Sequence, residues 1–174
     1  MHRHNVGFMA VDALAECYDA PAPTKKFQGW MQEVRIGSDK IILLKPATFM
    51  NESGRSIRAA MDFYKLTPQD VTVFYDELDL APFKIKVKRG GGAAGHNGIR
   101  STIDHIGADF RRIRLGIGHP GHKDRVTGYV LGPFSKSEID PLADMLGALS
   151  AEADWLAKGD DARFMSEVAL RQQD

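Results

Sequence analysis

The stretch YDELDLAPFKIKVKRGGGAAGHNG, residues 75–98, concentrates the side chains most able to do chemistry. Three carboxylates, Asp76, Glu77 and Asp79, fall within five residues. Four cations, Lys84, Lys86, Lys88 and Arg89, follow within six, and then come three consecutive glycines and His96-Asn97. Carboxylates serve proton chemistry or a metal, cations hold phosphates, and glycines let a backbone approach a ligand closely. Together they suit a charged substrate that reacts at a carbonyl or phosphoryl centre. No His or Cys stands at ligand spacing beside the carboxylates, so no metal is expected. Asp76 ends the apolar run VTVFYD, at the strand end where open α/β sheets gather their ligands. A carboxylate there can orient a histidine, or it can make a structural turn bond.

The alternation in KIKVKR places Lys84, Lys86 and Lys88 on one strand face and Ile85 and Val87 on the other. Such a face is either solvated or meets a polyanion. The glycines beside it weaken a strand and match neither nucleotide-loop spacing, which leaves a mobile lid or a phosphate cradle. Asn97 can cap the following helix or bind a substrate carbonyl or ribose. In KPATFMNESG, residues 45–54, Phe49 and Met50 precede Asn51 at a strand-to-helix turn. That reads as a pocket wall with one polar group, or as a packed loop in which Asn51 caps the helix. His4 stands alone before the first helix, and spacing by itself gives it little weight.

The elements that must position these groups alternate. Helices are expected over 6–18, 53–65, 97–107 and 160–171, and strands over 27–36, 40–46, 71–76, 83–89 and 111–118. Gly37-Ser38-Asp39 reads as a hairpin turn. Ser135 and Glu138 have capping-box spacing ahead of a further helix. With no repeat or linker, residues 1–174 are expected to form one domain. Its class is α/β, a single α/β/α sandwich with a mixed, largely parallel central sheet.

The chain has 174 residues, 43% hydrophobic and 26% charged, with no net charge. That is ordinary for a globular domain. The charge is uneven: residues 1–83 carry −2, residues 84–125 carry +7 and residues 126–174 carry −5. The basic segment suggests a polyanionic partner. Apolar runs such as IILL are too short to cross a membrane. The single Cys17 excludes an internal disulfide and is expected to be a buried structural thiol, in keeping with a cytoplasmic setting.

The segments RHNVGF, KPATFMNESG, YDELDL, KRGGGAAGHNGIRS and RIRLGIGHPG occur in the order found in bacterial peptidyl-tRNA hydrolases. The chain resembles that family from His2 to about Pro133. The resemblance implies hydrolysis of the ester between a peptide and the 3′-terminal ribose of tRNA, recycling tRNA dropped from ribosomes, with no cofactor. It implies His4 as general base, supported by Asp76. Phe49, Met50, Asn51, His96 and Asn97 would meet the substrate. Lys86, Lys88 and Arg114 would meet phosphates of the acceptor stem. A cytoplasmic monomer with no membrane partner is expected. Family members begin with a strand and a G-N-P-G-x-x-Y-like turn ahead of the histidine, so the chain is expected to be N-terminally short of that central strand. The competing readings are a non-catalytic RNA-binding protein on the same fold and an inactive truncated product. A small-molecule esterase would lack its G-x-S-x-G nucleophile elbow.

Overall fold

A computed structural model describes residues 2–173. The helices are α1 (Val6–Cys17), α2 (Ser53–Tyr64), α3 (Asn97–Ile106), α4 (Val126–Val130), α5 (Ile139–Ala151), α6 (Ala153–Ala157) and α7 (Asp161–Gln172). The strands are β1 (Thr24–Lys26), β2 (Gly29–Ile36), β3 (Asp39–Pro46), β4 (Thr72–Glu77), β5 (Ile85–Arg89) and β6 (Arg111–Gly116). Helices and strands alternate as the periodicity predicts, and the fold is mixed α/β.

The strands form two three-stranded sheets, ordered β1-β2-β3 and β4-β6-β5. Only β4 and β6 pair in parallel; the other pairings are antiparallel. The alternation suggested a more parallel sheet. However, β1 to β3 form a meander that needs no helical crossover, and β5 lies antiparallel on the outer edge of β6. Ile36 pairs with Asp39, so Gly37 and Ser38 make the expected tight hairpin. A cavity of about 770 Å³ lies between the sheets. Ile41–Leu44 of β3 and Thr72–Asp76 of β4 line it, with α1 and α2 on its flanks.

One core joins Val6, Ala10 and Leu14 of α1 to Ile113 and Leu115 of β6, Leu149 of α5 and Phe164 of α7. The second core gathers Met61, Tyr75, Ile99, Ile106 and Phe110 beneath α2 and α3. The alternation along β6 sends Ile113 and Leu115 into the first core, so Arg112 and Arg114 share the opposite face. Cys17 is exposed rather than buried. It lies in the last turn of α1, outside the apolar Val6, Ala10, Leu14 row that faces the core.

Helix α2 follows the Met50–Glu52 turn, α3 follows the glycine loop, and the two helices meet at Gly54. Its amide donates to Ser101 Oγ at 2.9 Å. A Cβ added at Gly54 would lie 2.1 Å from the Ser101 carbonyl oxygen. Alanine would gain roughly 1 kcal/mol of helix propensity. Forcing the helices apart costs roughly 1–3 kcal/mol or more. Gly54→Ala is therefore expected to lower the melting temperature by several degrees in a calorimetric scan. An unchanged or raised melting temperature would show that the contact yields without strain.

Candidate active site

The C-terminal end of β4 delivers Asp76 to one end of the cavity, with its side chain 4% exposed. Buried charge requires partners, and two imidazoles supply them. His4 Nδ1 lies 2.8 Å from Asp76 Oδ2. His96 Nε2 lies 2.9 Å from Asp76 Oδ1. The rings of His4 and His96 stand 5.1 Å apart, and Tyr75 meets the His96 ring edge to face.

Each histidine is fixed by its own local structure. His4 sits in a 3₁₀ turn at Arg3–Asn5, directly before α1. Arg3 anchors that turn: its amide donates to the Gly132 carbonyl at 3.0 Å. Its guanidinium donates to the Tyr129 carbonyl at 3.2 Å and pairs with Glu138 at 2.9 Å. It also lies 4.1 Å from the centre of the Tyr129 ring. Glu138 in turn closes the capping box with Ser135 that the sequence announced. His96 is the N-cap of α3 and accepts the Ile99 amide on Nδ1 at 3.1 Å. That bond leaves Nε2 as the protonated nitrogen, which donates to Asp76. The cap expected of Asn97 is therefore made by His96, and Asn97 begins the helix, exposed.

The electrostatics follow from this geometry. The hydrogen bond to Asp76 lifts the His4 imidazole above its ordinary value of 6.5, against burial, which pulls it down. Burial pushes Asp76 up, but the hydrogen bonds from His4 and His96 outweigh it and hold the carboxyl below its usual range. With Nδ1–H given to Asp76, Nε2 of His4 is free to take a proton. The ligand atoms of His4, Asp76 and His96 lie within 4.8 Å of one another, so they could also hold a metal ion. Local spacing around Asp76 gave no hint of this, because both histidines arrive from distant segments. A metal there would have to displace the two protons that now join the imidazoles to the carboxylate.

Of the other predicted residues, Met50 adjoins this cluster and the cations lie on β5 and β6. Met50 lines the same cavity. Gly98 leaves room for it, since a Cβ there would stand 2.7 Å from the Met50 sulfur. Phe49, on the adjoining turn, is 81% exposed. Asn51 is exposed on the Met50–Glu52 turn and does not cap α2, whose start carries no side-chain cap. Lys86 pairs with Arg114, and Lys88 with Arg112, across the β5–β6 ladder, so the predicted cations share one face. Lys86 and Lys88 are exposed. Arg114 is half-buried, 3.7 Å from Glu77. Arg3 and Arg112 escaped the sequence reading. Arg3 lies inside the quoted RHN segment, but only its partners more than a hundred residues away reveal what it does.

The whole sequence, residues 1–174, matches the family profile for peptidyl-tRNA hydrolase. A peptidyl-tRNA hydrolase of Sphingopyxis alaskensis is 76% identical over 173 residues, covering 99% of this chain and 92% of its own. One from Erythrobacter litoralis is likewise 76% identical with the same coverage. The crystal structure of peptidyl-tRNA hydrolase from Acinetobacter baumannii superposes with a TM-score of 0.90 at 38% identity, covering 96% of this chain and 86% of that one. A polarised histidine lining a cavity, in a chain that also carries a face of cations, is an arrangement suited to hydrolysing an ester carried on RNA, and the chain belongs to the peptidyl-tRNA hydrolase family, enzymes that cleave the ester bond of peptidyl-tRNA.

Proposed function

We propose that His4 is the general base for this hydrolysis and that the 2.8 Å bond from its Nδ1 to Asp76 carries the assignment. Asp76 fixes the tautomer and stabilises the imidazolium. Nε2 takes the proton of a water that attacks the ester carbonyl. The carbonyl oxygen gains charge as the tetrahedral intermediate forms, and the side-chain amide of Asn51 or Asn97 donates to it. The 3′-ribose oxygen leaves with the proton that His4 has taken up. Phe49 and Met50 contact the substrate beside the cluster. Lys86, Lys88 and Arg114 meet phosphates of the acceptor stem. In this reading residues 1–174 work as one domain, a cytoplasmic monomer that returns tRNA from peptides released by stalled ribosomes. No helix among the described residues is long and apolar enough to cross a membrane. The catalytic reading is favoured over RNA binding alone because His4 and Asp76 hold a proton-transfer geometry that binding does not require.

The base must be unprotonated to act, and its pKa is raised. Turnover of peptidyl-tRNA is therefore expected to increase with pH through a midpoint above 6.5. Asp76→Asn removes the raising interaction, so the midpoint should fall while the rate at every pH drops. His4→Ala should lose about 10²–10⁴-fold in kcat, more than Asp76→Asn. A pH–rate profile for the three proteins checks this. A His4→Ala enzyme with near-normal kcat would overturn the assignment.

The cationic face generates a second expectation. Lys88→Ala should raise KM for full-length substrate and reduce the slope of log K against log salt by roughly one. Arg114→Ala should do less, because Glu77 already neutralises part of its charge. A short ester lacking the acceptor stem should respond to neither variant. Equal losses on both substrates would place these side chains in folding or in the chemical step.

A further inference from the structure

Arg112 is 1% exposed, yet no carboxylate among the described residues pairs with it. Its guanidinium is neutralised by backbone instead. Nη1 donates to the Gly92 carbonyl at 2.5 Å, and Nη2 donates to the carbonyls of Gly91 at 2.7 Å and Ala108 at 3.2 Å. Its flat face lies 4.4 Å from the centre of the Phe110 ring. A buried cation unmatched by an anion is costly.

Two of the three carbonyls belong to the glycine loop. No peptide bond among the described residues is cis. In a trans peptide the N–H points away from the C=O of the same plane. Turning the Gly91 and Gly92 carbonyls onto Arg112 therefore turns the amides of Gly92 and Ala93 away from it. Neither amide donates a hydrogen bond among the described residues, and Gly92 is exposed, with nothing within 4 Å of where a Cβ on it would stand. Lys88, which pairs with Arg112 across the ladder, runs beside the loop. Its Cε and Nζ stand 2.8 Å from where a Cβ at Gly91 would be, and Gly91 has a φ of +100°, so only glycine suits that position.

We propose that Arg112 is a positioning residue that holds the glycine loop so that the Gly92 and Ala93 amides, with the Lys88 ammonium, bind one backbone phosphate of the RNA. Consecutive outward amides make an anion-binding concavity, and the neighbouring ammonium supplies the charge. Arg112 itself never touches the RNA. Its guanidinium fork can reach three carbonyls at once, which a single ammonium cannot match. The inference rests on the tRNA-binding reading given above for the same face.

The test is amide NMR of the whole chain titrated with an RNA minihelix, an acceptor-stem duplex closed by a loop. The Gly92 and Ala93 amide signals are expected to shift in step with binding. Arg112→Lys is expected to weaken minihelix binding about tenfold, the size of one lost charge-assisted hydrogen bond. It should also speed hydrogen exchange across residues 90–95 while the global melting temperature changes little. Minihelix binding that leaves both amide signals unmoved overturns the inference and spares the tRNA-binding reading. A chain that binds no minihelix overturns both. If Arg112→Lys does not fold, the wild-type titration still decides.

Discussion

The site depends on one buried carboxylate that accepts hydrogen bonds from two histidines. Asp76 is placed at the end of β4 with its side chain almost wholly buried, and its charge is tolerable only because His4 and His96 each donate it a hydrogen bond. That requirement ties three distant segments together. The turn before α1, the end of β4 and the start of α3 must all arrive in register, or the carboxylate is left unpaired. The two imidazoles are not equivalent. The second nitrogen of His96 is occupied by the Ile99 amide, whereas that of His4, which lines the cavity, stays available. One carboxylate therefore holds two histidines, one closed by the helix cap and one with a ring nitrogen left open.

The packing around the site serves the same end. Helices α2 and α3 approach closely through Gly54, which places the Met50–Asn51 turn beside the His96 cap. On the other flank, Arg3 binds the first turn to Gly132, Tyr129 and Glu138. Arg112 does for the glycine loop what Arg3 does for the His4 turn. Both are largely buried arginines whose guanidinium donates to backbone carbonyls, so each converts a positive charge into a fixed loop geometry.

Much of this was legible in the sequence, for reasons that can be named. Apolar alternation in FKIKVKR and the 3.6-residue period in SGRSIRAAMDFYK reflect burial of one face, and both elements formed where that pattern put them. Ser135 and Glu138 announce their cap through spacing alone. Asp76 could be singled out because it ends an apolar strand. Strand direction was less legible, since a single chain shows which residues are buried but not which way a neighbouring strand runs. The short α4 and α6 gave no periodic signal, having only about one turn each. His96 looked like a substrate contact beside an Asn97 that could either bind substrate or cap the helix, and the structure gives His96 the cap and a bond to Asp76. A residue's partners across the fold are absent from its local neighbourhood in the chain, and this also hid Arg3 and Arg112.

The anchoring of Arg3 has a consequence for the order in which the molecule is made. The turn bearing His4 is synthesised well before the carbonyls and carboxylate that hold it, which lie at Tyr129, Gly132 and Glu138. Contacts of such sequence separation form only once both ends are free to meet. During translation the growing chain is itself a peptide esterified to tRNA. Through most of that time the turn bearing His4 is present without the segment that seats it, so its anchorage is completed only after Glu138 has been made.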